Sequence, residues 1–114
     1  MKTKKELRDE FKLMKFRMGI FQIINQKEKK IYLQIASDLD RAYNSDIFQL
    51  KAGMHSNKEL QNDWNKLGSN SFEFKILDEL LIDETASPEQ LIIDLKELLE
   101  IHKDEMKSKG QLLY

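Results

Sequence analysis

Apolar positions along this chain switch between a helical rhythm and a strand rhythm, with polar turns between them. Leu7, Phe11 and Met14 recur at three- and four-residue steps behind a Thr3/Glu6 capping pair, which predicts a helix over 3–15. Gly19 punctuates the end of that segment. "IFQII" (20–24) is β-branched and aromatic, as a strand requires. "NQKEKK" (25–30) is a polar turn and "IYLQIA" (31–36) a second strand, so the two should pair as an antiparallel hairpin.

Ser37 or Asp38 can cap the next helix, which carries Leu39, Tyr43, Ile47 and Leu50 and stops at Gly53. Ser56 with Glu59 forms another capping pair, opening a short helix with Leu60, Trp64 and Leu67 inward and Gly68 as its stop. "SFEFKIL" (71–77) alternates, with Phe72, Phe74 and Ile76 on one face and Glu73 and Lys75 on the other, a half-buried third strand. Ser87-Pro88-Glu89-Gln90 is the strongest helix start in the chain: serine caps, proline takes the first helical position and glutamine closes the box. Leu91, Leu95, Leu98, Leu99 and His102 mark the inward stripe of a long final helix. The expected order is α-β-β-α-α-β-α, an α+β fold with a small three-stranded antiparallel sheet flanked by helices. Residues 1–17 read as an N-terminal helix, 18–108 as the domain body including the long helix, and 109–114 as a tail.

Composition narrows the class without naming a function. The 114 residues suit one compact domain, with 40% apolar and 34% charged residues. No apolar run approaches the roughly 20 residues that span a bilayer, and the charged start lacks a signal-peptide core, so a cytoplasmic protein without membrane contact is expected. The absence of cysteine excludes disulfides, thiolate metal sites and a cysteine nucleophile. The net charge of −1 hides an asymmetry: residues 1–30 hold ten Lys/Arg against four Asp/Glu, and residues 76–114 hold four Lys against ten Asp/Glu. A basic start can steer an anionic partner, whereas the simpler reading is that the two ends attract each other or solvate the surface.

Common catalytic signatures are missing. His55 and His102 are the only histidines and fall in different elements, which argues against a zinc site. His55 reads as a turn residue between helices and His102 as a partly buried core histidine. There is no Gly-rich phosphate loop and no Ser-His-Asp order.

The hairpin and the helices after it do carry a pattern. Gly19-Ile20-Phe21 and Tyr32-Leu33-Gln34 stand on consecutive strands, "SDLDRA" opens the helix that follows, and "GMHSNKELQNDWNKLGSNSFEFKILDEL" (53–80) keeps its Trp, Gly and two Phe at fixed spacing. In order and spacing these segments resemble the GIY-YIG nuclease superfamily over roughly residues 18–100. The resemblance implies phosphodiester hydrolysis by water: motif tyrosines position the water, an arginine stabilises the phosphate charge and a glutamate holds one divalent metal. By that correspondence the catalytic candidates are Tyr32 and Arg41, and the metal candidate is Glu97, with Glu100 as the alternative.

Departures fall on the same parts. Phe21 lacks the hydroxyl of the first motif tyrosine, and Gln34 replaces a glycine. The arginine position itself aligns with Ala42, one helical step of about 100° from Arg41. The helix's usual histidine corresponds to Asp46. The resemblance with these departures implies a catalytically degenerate nuclease-like domain with a nucleic-acid-binding or regulatory role, its partner DNA or RNA. One alternative is a protein-interaction or structural module, with the acidic last helix and "QLLY" docking a protein partner. Another is an active divergent endonuclease using magnesium or manganese; otherwise no cofactor is expected.

Overall fold

A computed structural model describes residues 17–80 and 87–114. The helix expected over 3–15 lies outside the described residues. Two strands, β1 (Met18–Asn25) and β2 (Lys30–Ala36), form the antiparallel hairpin, with Gly19 opposite Ala36 and Asn25 opposite Lys30. Its turn is organised by Asn25, whose side-chain oxygen accepts the backbone N–H groups of Lys27 and Glu28. Helix α1 (Leu39–Ala52) follows, then α2 (Lys58–Leu67), β3 (Phe72–Leu80) and the long α3 (Pro88–Ser108).

The start and stop signals act as the chain pattern implies, with one correction. Asp38, not Ser37, caps α1 by accepting the N–H groups of Asp40 and Arg41, and Gly53 ends it in the left-handed region at φ 74°. Ser87 caps α3 through the N–H of Gln90, with Pro88 in the first turn. For α2 the cap is Asn57 rather than Ser56. Its side-chain oxygen accepts the N–H of Leu60 at 3.0 Å, and Ser56 stays exposed one residue too early.

Among the described residues the sheet has four strands, in the order β3-β1-β2-β4, rather than the three expected. The addition is β4 (Leu112–Leu113), which runs parallel to β2, with Lys30 opposite Leu112 and Ile31 opposite Leu113. Gly110, at φ 79°, turns the chain after α3 so that this segment returns to the sheet edge. Gln111 donates its side-chain N–H to the carbonyl of Lys29, and the Tyr114 N–H bonds to the carbonyl of Ile31. The residues read as a tail therefore include the fourth strand.

Burial on both faces explains why the hairpin strands are almost continuously apolar. Phe21, Ile23 and Tyr32 point to one face and pack with Leu39 and Leu50 of α1 and Leu60 and Trp64 of α2. Met18, Ile20, Leu33 and Ile35 point to the other face, under Leu91, Leu95 and Leu99 of α3. The result is three layers: α1 and α2, the sheet, and α3.

A β-bulge corrects the pattern read in the third strand. Ile20 faces Asp78 but Phe21 faces Ile76, so Leu77 is the extra residue. Leu77 packs with Ile20 and Leu99 on the α3 side, and Ile76, expected inward, is 40% exposed. Gly19 lies beside this irregularity. A Cβ there would sit 2.1 Å from the carbonyl oxygen of Asp78, so no side chain fits between β1 and β3.

Candidate functional site

The sheet face beneath α1 carries a row of rings. Phe21 is 2% exposed, stacked on Phe74 at 5.1 Å and edge-on to Tyr32 at 6.4 Å. Tyr32 is itself buried and meets the His55 ring edge-on at 5.3 Å. The hairpin aromatics thus belong to the core of this layer. Beside them an open cleft of about 730 Å³ runs between the end of β2 and α1, lined by Phe21, Gln34, Asp38, Arg41, Ala42 and Asp46 among others.

The candidates divide on this frame. Ala42 turns inward and packs against the core cluster, presenting only a methyl to the cleft. Arg41 lines the cleft from an exposed position, one helical step round. Asp46, one turn beyond Ala42, reaches down to His55, whose Nε2 lies 3.4 Å from its Oδ2. Tyr32 lies under this pair.

Backbone geometry fixes the histidine. The N–H of Asn57 donates to His55 Nδ1 at 3.0 Å, so the neutral ring carries its proton on Nε2, aimed at the Asp46 carboxylate. His55 is held by a further buried network: its own N–H donates to Gln61 Oε1, and Gln61 Nε2 donates to the carbonyl of Leu50 and to Asn65. His55 lies in the turn between α1 and α2, as the sequence implies, and its ring is buried there. The signal that could have found it was its place in the "GMHSN" segment.

Electrostatics here work against ionisation. Burial raises the Asp46 carboxyl above its ordinary range, with the His55 hydrogen bond opposing that shift. Burial also raises the Tyr32 phenol. The Asp46 charge adds to the rise, and the 3.4 Å contact from Gln34 Nε2 opposes it. Tyr32 therefore stays a neutral phenol at neutral pH. Two carboxylates, Asp38 and Asp46, line the same cleft as Arg41.

Glu97 and Glu100 are not brought to this cleft. Both are exposed on α3, which packs on the opposite face of the sheet. Glu97 is two residues, about 200°, round the helix from buried Leu95, and so points away from the sheet. Among the described residues no group of three or more His, Asp or Glu converges in a way that would hold a metal ion. Among the described residues, neither Glu97 nor Glu100 of α3 stands beside Arg41 in the cleft, as the single-metal arrangement implied by the resemblance would require.

Comparison with known proteins decides the lineage. The curated Intron-associated endonuclease 1 of Enterobacteria phage T4 is 35% identical over 80 residues, covering 70% of this chain. A solved glutamate-to-alanine mutant of the catalytic domain of intron endonuclease I-TevI superposes with a TM-score of 0.66 at 30% identity, covering 85% of this chain and 91% of that one. The chain belongs to the GIY-YIG nuclease family. A second structure, of the catalytic domain of homing endonuclease I-TevI, also gives a TM-score of 0.66, at 29% identity over 83% of this chain and 94% of its own. The chain spans about a third, 32%, of the length of the curated phage protein that it matches. No family model matches the chain. Within this family, Gly19-Ile20-Phe21 and Tyr32-Leu33-Gln34 occupy the two motif strands, and the fold of the nuclease domain is retained.

Proposed function

We propose that this chain is a catalytically degenerate GIY-YIG domain that holds DNA without cutting it. The observation that carries the reading is the lining of the cleft. Phe21, Ala42 and Asp46 stand in it at the positions where the family pattern has a tyrosine, an arginine and a histidine. A phenyl ring cannot position water, a methyl cannot neutralise phosphate charge, and a carboxylate repels it. Each missing donor of this type typically lowers a rate by on the order of 10²–10³. Two such losses and an added negative charge leave too little stabilisation for phosphodiester hydrolysis.

The remaining residues support holding rather than hydrolysis. Arg41 offers an exposed guanidinium at the cleft, suited to a phosphate contact. Tyr32, neutral and buried, supports the cleft floor from below. The nuclease names of the relatives point to nucleic acid as the partner class, with DNA as the form we favour.

The test is cleavage of single-stranded, duplex and branched DNA with magnesium or manganese, with Tyr32→Phe run beside the wild type. We expect no cutting above the protein-free control by either protein. Cutting by the wild type that Tyr32→Phe abolishes would instead make the domain an active, divergent nuclease.

A further inference from the structure

On the other flank of α1 lies a second, smaller recess of about 240 Å³ that no catalytic position enters. Tyr43, Ile47 and Lys51 follow one another at four-residue steps along one stripe of the helix and form one wall. Phe72 and Phe74 of β3, the terminal strand in the sheet order, form the facing wall, with Trp64 of α2 at the end. The rings meet in an ordered way. Tyr43 stands edge-on to Phe74 at 4.8 Å, and Trp64 is tilted against Phe72 at 5.3 Å.

Three features set this recess apart from ordinary core. First, Tyr43 is 45% exposed although it touches Phe74, so one ring surface faces water where a polar residue would cost nothing. Second, the recess is below the roughly 300–1,000 Å³ range of sites for drug-sized ligands, a size suited to one planar ring. Third, a cation and hydrogen-bonding groups sit among the rings: Lys51, Ser69 and Glu73 share the lining. Glu73 is already engaged by the Gln26 amide at 3.0 Å and by Lys75 at 3.5 Å, which offsets its charge.

We propose that this recess binds one unpaired nucleobase of a single-stranded segment, stacked on Tyr43, with Lys51 taking a neighbouring phosphate. Aromatic faces accept any base, and an adjacent lysine tracks the backbone, which is how single strands are held without sequence readout. A base inside a duplex cannot reach such a recess, so the site selects unpaired or extruded bases. The inference rests on the nucleic-acid reading given above, and adds to it a second contact point on the far side of α1 from the cleft.

Trp64, the sole tryptophan of the chain, reports on the recess directly. Oligothymidylate titrated into the protein should quench Trp64 emission. Tyr43→Ala should weaken single-strand affinity by about 5- to 150-fold, the range expected for one lost stacked base, and leave duplex affinity within about twofold. Tyr43→Phe, which keeps the ring, should bind like the wild type. Lys51→Ala should reduce the salt slope of single-strand binding by about one unit. Unchanged Trp64 emission on binding would overturn the proposal, as would a folded Tyr43→Ala protein that binds single strands normally or loses both strand forms equally. Wild-type protein that binds duplex while the recess variants change nothing would sink this inference alone. Wild-type protein that binds neither form would sink the nucleic-acid reading with it.

Discussion

Asp46 carries two opposed demands on one carboxylate. It accepts the Nε2 proton of His55, and it does so in a partly buried position that disfavours its charge. A carboxyl raised in the folded state above the ordinary 3.8 contributes most to stability below that value, and the contribution declines as pH climbs through the raised value. At neutral pH the charged form is therefore a net cost. Asp46→Asn keeps an oxygen for His55 and removes that cost. We expect it to raise stability at pH 7 by up to about 1 kcal/mol in denaturant melts, with the gain fading as pH falls toward 4. A loss of stability at pH 7 would mean that the His55 contact outweighs desolvation. Residue identities such as Phe21 for tyrosine and Ala42 for arginine were legible in the sequence, because motif spacing fixes them. The partnership of Asp46 with His55 was not. It joins a helix to a turn nine residues on, and only the folding back of α2 brings the ring beneath the carboxylate.

Among the elements, the hairpin and the three described helices were readable from periodicity and caps, and the short fourth strand was not. Leu112 and Leu113 are too few to alternate, so β4 exists only through its tertiary contacts. The bulge at Leu77 is equally silent in sequence, because either Ile76 or Leu77 satisfies an apolar pattern. β4 is anchored by its neighbour Tyr114. The Tyr114 hydroxyl donates to Asp63 at 2.6 Å and accepts from the Asn25 side chain at 2.9 Å, joining the sheet edge to α2 and to the hairpin turn. Asn25 has no exposure at all, so a lost partner there cannot be replaced by water without rearrangement. Tyr114→Phe should cost about 1–3 kcal/mol, read as a lower denaturant midpoint with an unchanged slope. An unchanged midpoint would mean that β4 contributes little to the stability of the sheet.

Across the whole molecule, the three-layer arrangement separates what the family pattern would join. The cleft with Phe21, Ala42 and Asp46 opens on the side of α1 and α2. The carboxylates singled out from the last helix lie on α3, across the sheet. The architecture was foreseeable from the alternation of elements. The side of the sheet on which each candidate falls was not, because it depends on crossings that no local pattern encodes. The domain retains a nuclease scaffold whose core includes its two motif strands, and the function proposed for it is DNA holding without hydrolysis. The most direct measurement is an anisotropy titration of labelled duplex DNA with magnesium present, at about 50 and about 200 mM salt, followed by recovery of the DNA from the same samples. Saturable binding is expected at the lower salt, weakened at least about tenfold at the higher, with every strand recovered intact. Cut strands, or no binding at the lower salt, would contradict the proposed function.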